Sequence, residues 1–114
     1  MRGLAEATAI CGRVDSPGLA VMGDLFHMST EEDSIPASIR QAGSLLKHIH
    51  LADSNRLQPG NGHTDFVASF RALRAAAYDG YMALECGIRG DPSTALPESA
   101  AFLGRCLVES ENQP

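Results

Sequence analysis

Three residues of types that bind hard cations or move protons stand at the ends of three apolar runs. Asp24 closes Leu19-Ala20-Val21-Met22-Gly23, His50 lies near the end of His48-Ile49-His50-Leu51-Ala52-Asp53, and Glu85 closes Tyr81-Met82-Ala83-Leu84. If each run is a strand, side chains alternate between faces. Ala20, Met22 and Asp24 then share one face, as do His48 with His50, and Tyr81 and Ala83 with Glu85; Val21, Ile49, Leu51, Met82 and Leu84 point the other way. Two carboxylates and one imidazole suit a divalent cation such as Mn²⁺, Co²⁺, Mg²⁺ or Zn²⁺, with positions left open for a substrate. Taken singly, each residue has an ordinary explanation. An acidic residue after a strand anchors a loop or caps a helix, and a histidine within a strand packs in a core. Three ionisable groups buried without a shared partner would be costly, which favours a common ligand.

The elements that must position these residues alternate in type. Residues 3–12 are Ala-rich with apolar positions at helical spacing, and Gly12 reads as a stop. After the turn Asp15-Ser16-Pro17-Gly18 comes the first strand, ending in Asp24. A second helix is expected to begin near Ser34, with Pro36 in its first turn and Ile35, Ile39, Ala42, Leu45 and Leu46 as its stripe. The strand around His50 leads into a polar loop through Pro59-Gly60-Asn61-Gly62. Asp65 is placed to cap a helix carrying Phe66, Phe70, Leu73 and Ala77, with Asp79-Gly80 as its end. The strand ending in Glu85 precedes a last helix with Leu96, Ala100, Leu103 and Leu107 as its stripe, and residues 109–114 read as a frayed tail.

Strands alternating with helices predict a parallel α/β sheet, whose strand C-termini all open on one side, where ligands bind. Three such units match part of a (β/α)8 barrel or a small open sheet, and the pattern alone does not separate them. The 114 residues fit one domain, with 44% hydrophobic and 20% charged residues, a globular composition. The net charge of -5 argues against a nucleic-acid partner, which calls for a basic face. Cys11, Cys86 and Cys106 are widely spaced and odd in number, which suggests a reducing, cytoplasmic setting. No signal peptide or membrane-length apolar run is visible.

Longer motifs surround the three site residues. Asp24-Leu25-Phe26-His27-Met28, with Glu31 and Glu32 soon after, resembles the D-T-F-H-M-x-x-E-E segment of the ketose 3-epimerases and their sugar-isomerase relatives. His50-Leu51-Ala52-Asp53-Ser54-Asn55-Arg56, followed by Pro59-Gly60-Asn61-Gly62-His63, resembles their H-x-x-[DE]-S-N-R-x-x-P-G-x-G loop, and Tyr81 to Glu85 resembles their last barrel strand. The order and the intervals match as well, and the resemblance runs from about residue 3 to about residue 108. It identifies the chain with the xylose-isomerase-like TIM-barrel family.

The resemblance implies the C-terminal portion of a (β/α)8 barrel, about three parallel strands with four helices, forming one partial-barrel domain over residues 1–114. It implies a metal-dependent isomerase or epimerase that moves a proton beside a ketose carbonyl through an enediolate. Asp24, His50 and Glu85 would be metal ligands, Glu85 also a catalytic proton carrier, and His27 and Arg56 would hold substrate oxygens. A further ligand that doubles as the opposing carboxylate belongs, in that family, to an earlier strand. Here the upstream carboxylates are Glu6 and Asp15, in a helix and a turn. The expected partners are therefore a small sugar and either a second copy or the polypeptide that completes the barrel, with neither nucleic acid nor membrane. The isolated chain is expected to be inactive.

Two alternatives remain. An apurinic-site endonuclease shares the barrel but needs more histidines than the four present and a basic face; a non-catalytic half-barrel needs no chemistry at all. Lesser features read more simply. Gly60-Asn61-Gly62 reads as a turn before a phosphate site, and His48 as core. Asp53 is expected to fix its loop or orient His50, His63 to lie on the surface, and Glu31, Glu32 and Asp33 to favour a helix N-terminus.

Overall fold

In the computed structural model the described residues are 3–112. They form α1 (Leu4–Val14), β1 (Val21–Asp24), α2 (Leu25–Glu31), α3 (Ile35–Ala42), a 3-10 turn (Gly43–Leu45), β2 (Leu46–Leu51), α4 (Phe66–Ala75), β3 (Met82–Leu84) and α5 (Pro92–Glu111). The three strands make one parallel sheet in the order β1-β2-β3. This is the expected α/β alternation, with five α-helices rather than four.

Register sets the site. Met22 pairs with His48, Asp24 with His50, and His50 with Ala83, so these side chains share one face. Val21, Ile49 and Leu51 point to the other and are buried in a core with Leu25 and Met28 of α2, Ile39 and Ala42 of α3, and Phe66, Phe70 and Leu73 of α4. Removing these side chains from water is the main force holding the helices on the sheet. Met22 and Leu84 are each 42% exposed and Tyr81 is 87% exposed. Among the described residues, β1 and β3 are each paired on one side only.

The extra helix is α2, which starts directly after Asp24. Its seven residues are too few to show a helical period, but Leu25 and Met28 bury themselves and Asp24 caps its first turn. Glu31 and Glu32, expected to favour the start of the following helix, instead close α2: Glu31 ends it and Glu32 is its C-cap. The Glu32 carboxylate does meet a helix start, that of α1, accepting from the Leu4 N–H (2.7 Å), and it also accepts from the Ser38 hydroxyl (2.6 Å). Ser34 caps α3 as expected, accepting from the Ala37 N–H.

Other boundaries moved for local reasons. Helix α1 runs through Gly12 to Val14 and stops where Asp15 turns left-handed at φ 51°, a conformation Asp tolerates better than most residues. Strand β1 begins at Val21, leaving Leu19 outside, and Leu46 belongs to β2 rather than to the preceding helix. Helix α4 ends at Ala75, before Ala77 takes a positive φ of 55°. In α5 the buried stripe is Ala95, Ser99, Cys106 and Ser110, while Leu96 and Ala100 face out. Small side chains let this helix approach its neighbours, and Ser99 and Ser110 bond to Pro59 O and to Arg74 Nε. The helix continues to Glu111, past the start of the expected frayed tail; residues 113 and 114 lie outside the described residues. No helix among the described residues is long and apolar enough to cross a membrane.

Candidate metal centre

Each of the three site side chains is delivered by the end of a strand. Asp24 is the last residue of β1, with extended backbone (φ -109°, ψ 116°), and its two oxygens do different things. Oδ1 accepts from the Phe26 and His27 N–H groups at 3.0 and 3.2 Å, capping α2. Oδ2 faces His50, 3.7 Å from Nδ1. The helix cap and the cation ligand considered as alternatives for this residue are therefore compatible. His50 is half-buried on β2, and its Nδ1 lies 2.5 Å from Glu85 Oε2. Glu85 follows β3 directly, its N–H donating to Leu51 O at 3.0 Å, and its side chain is 54% exposed.

One ligand atom from each of Asp24, His50 and Glu85 lies within 4.8 Å of the other two, the one such group of acidic, His or Cys residues among those described. Two carboxylate oxygens and an imidazole nitrogen on one side give the mixed O/N donor set of divalent first-row ions and Mg²⁺. The half-exposed Glu85 leaves the cluster open to a ligand from solvent. Upstream, Glu6 sits in α1 and Asp15 at its C-cap, so neither stands at a strand end.

His27 and Arg56 come from different segments and meet around one ring. Phe26 makes an edge contact with His27 at 5.1 Å between centroids, and the Arg56 guanidinium sits 5.2 Å over the Phe26 ring, a cation–π arrangement. Both polar side chains are exposed, and the Arg56 backbone has φ 65°. Phe26 carried no signal of this role in the sequence, because its ring is shared by residues 29 positions apart along the chain.

The loop after β2 is organised by Asp53, 1% exposed. Its carboxylate accepts from the N–H groups of Ser54 (2.8 Å), Gly60 (2.8 Å) and Thr64 (3.0 Å). Burial alone would raise this carboxyl's pKa, but the backbone donors, with Gly62 among them, outweigh it and hold the group below its ordinary value. Fixing the loop is thus the role seen for Asp53. Gly62 is required here, since a Cβ would lie 2.6 Å from both Asp53 Oδ1 and Ser54 Oγ. Gly60-Asn61-Gly62 accordingly forms a turn, tied by Asn55 Nδ2 donating to Asn61 O. His63 is exposed, while His48 is half-buried with its ring 4.9 Å from that of His50. Cys11 and Cys106 are buried and Cys86 half-buried, all as free thiols.

The model of the xylose isomerase-like TIM barrel family matches residues 2–106. The chain belongs to this family. It is 40% identical over 104 residues to 3-dehydro-D-guloside 4-epimerase of Escherichia coli K12, covering 90% of this chain and 40% of that protein. To D-psicose 3-epimerase of Ruminiclostridium cellulolyticum it is 43% identical over 84 residues, covering 74% of this chain and 29% of that one. Its fold superposes on the crystal structure of 3-keto-D-glucoside 4-epimerase from E. coli with a TM-score of 0.89 at 39% identity, over 93% of this chain and 41% of that one. The chain thus spans about two fifths or less of the length of these relatives. The xylose isomerase-like barrel accounts for the parallel order β1-β2-β3 and for the strand C-termini opening on one side.

Proposed function

We propose that this chain carries the metal-binding and proton-transfer end of a divalent-metal-dependent sugar epimerase or isomerase acting beside the carbonyl of a keto sugar. The observation that carries the reading is the convergence of Asp24, His50 and Glu85, from three adjacent strand ends, within 4.8 Å. Asp24 Oδ2, His50 Nδ1 and a Glu85 oxygen would hold the ion, of the Mn²⁺, Co²⁺, Mg²⁺ or Zn²⁺ class. When bound, such an ion polarises a substrate carbonyl and lowers the cost of negative charge on its oxygen.

Glu85 is the proton carrier. Its carboxylate takes the proton from the carbon next to the carbonyl, the C–H electron pair moves into an enediolate, and a proton returns to that carbon. Inverting the centre needs the return from the opposite face, hence a second carboxylate, and no further acidic group joins the cluster among the described residues. His27 and Arg56 donate hydrogen bonds to substrate oxygens, with Phe26 holding both at a fixed spacing. The relatives with epimerase names favour this reading over an apurinic-site endonuclease.

Titration of the purified 114-residue chain with Co²⁺, alone and with a polypeptide carrying the remaining βα units of such a barrel, tests it. Binding that disappears in His50→Ala is expected, with ketose epimerisation in the reconstituted mixture. Absence of His50-dependent binding in both samples would overturn the metal reading. Binding without epimerisation in the mixture would support a non-catalytic module instead.

A further inference from the structure

We propose that Gln58 is a positioning residue for Glu85, holding the segment that carries this carboxylate, a role that rests on the metal-site reading above. Glu85 needs such support. It follows a three-residue strand at the edge of the sheet, and its own backbone bond to Leu51 O is the last ladder bond before the chain leaves the sheet. Leu84 and the carboxylate are exposed and the rest of the strand is only half-buried, so packing alone holds the carboxylate loosely.

Backbone and side-chain contacts tie residues 85–89 back to the loop after β2. The Gly87 N–H donates to Arg56 O at 2.8 Å, and Leu57 and Gly87 form an isolated parallel bridge. The Gln58 side chain then continues the pairing: Nε2 donates to Arg89 O at 3.0 Å, and Oε1 accepts from Arg89 N at 2.9 Å. One side-chain amide matched donor and acceptor to a single residue's backbone imitates a neighbouring strand. Gln58 is 4% exposed, so its amide has little access to water and leaving either of its groups unpaired would be costly.

Gln58 is itself anchored. Its carbonyl accepts from Asn61 N at 3.3 Å, inside the turn that the Asp53 carboxylate organises. Loop 53–64 thus holds Arg56, a candidate substrate residue, and grips the Glu85 segment with the next side chains along. The rigidity of one loop is transmitted to a ligand on another strand, as in sites where groups beyond the ligands set ligand geometry.

The test is a double-mutant cycle on the full chain, read by Co²⁺ affinity and by amide hydrogen exchange. Gln58→Met keeps the side chain's length and removes both bonds. It is expected to weaken Co²⁺ binding about tenfold, at the low end for groups that support metal ligands. In a Glu85→Gln background the same Gln58→Met change is expected to leave Co²⁺ affinity unaltered, because the two residues act as one unit. An equal loss in both backgrounds would show a general structural effect and overturn the proposal.

Exchange supplies the second arm. The Arg89 amide is expected to exchange at least about tenfold faster in Gln58→Met while the Ile49 and Leu73 amides keep their protection. Unchanged Arg89 protection overturns the proposal. If the parent binds no Co²⁺, the metal reading falls, and Arg89 exchange alone decides whether Gln58 holds this segment; the same holds if Glu85→Gln binds too weakly to measure.

Discussion

Replacing Asp53 by Asn is a sharp test of what holds the loop beside the site. The change keeps the size and one oxygen. Asp53 Oδ1 accepts from Ser54 and Thr64, whereas Oδ2 accepts from Gly60 at 2.8 Å. An Asn oriented to preserve the first pair must point its NH2 at the Gly60 N–H, setting donor against donor in a site that is 1% exposed. One charge-assisted bond, worth about 1.5–3 kcal/mol, is lost, and the other two weaken as the charge disappears. Allowing the loop to shift, we expect Asp53→Asn to cost about 2 kcal/mol of unfolding free energy, and Asp53→Ala, which leaves three donors unmatched, about 3 kcal/mol or more.

The dependence on acid gives the same substitution a second signature. The folded-state pKa of Asp53 is depressed, so its stabilisation is fully present above the unfolded value of roughly 3.9 and is lost as pH falls through the lower folded value. The Asn variant lacks this component, so its stability should fall less than the parent's on acidification below about pH 4. Urea unfolding at neutral pH and on the acid side measures both effects. A variant within about 0.5 kcal/mol of the parent near pH 7, the range of an ordinary surface substitution, would refute the view that this carboxylate organises the loop.

Asp24→Asn should separate the two functions of one side chain, since Asn caps helices about as well as Asp: melting stays near the parent's while Co²⁺ affinity falls at least about tenfold. Calorimetric titration and thermal melting on the same sample check this. In a complete barrel enzyme containing this segment, Glu85→Gln should reduce epimerisation by about 10² to 10⁴, the usual contribution of a positioned acid–base group; turnover close to the parent's in a deuterium-exchange assay would remove Glu85 from that role. The purified chain should also associate, because Met22, Leu84 and Tyr81 are exposed beside two strand edges paired on one side only, surfaces that proteins normally cover. Sedimentation should show a dimer or larger species, and a monomer at about 100 μM would contradict it.

The parallel sheet, the phase of its strands and the identity of the converging residues were legible in the sequence because they depend on neighbours along the chain. Alternation every two residues places Asp24 and Met22, or His50 and His48, on one face whatever else the fold does. Caps at Ser34 and Asp65 were legible for the same reason, since a side-chain oxygen and the N–H it accepts from are three residues apart. Helix α2 was not, because seven residues of mixed polarity show no period; it forms because Asp24 caps it and Leu25 and Met28 find a core supplied by β2 and α3. The buried face of α5 was only half legible: Leu103 and Leu107 pack against the core as expected, but Leu96 and Ala100 face out. Leu96 is the more hydrophobic side chain, but Ala95 and Ser99 are the ones small enough to lie against the Pro59 turn, and that contact spans 40 residues. The division of Asp24 between a helix and a histidine, the sharing of Phe26 by His27 and Arg56, and the grip of Gln58 on Arg89 all depend on groups distant in sequence meeting in space. Local spacing specifies which side chains can reach a site, while the packing of whole elements decides which of their atoms meet.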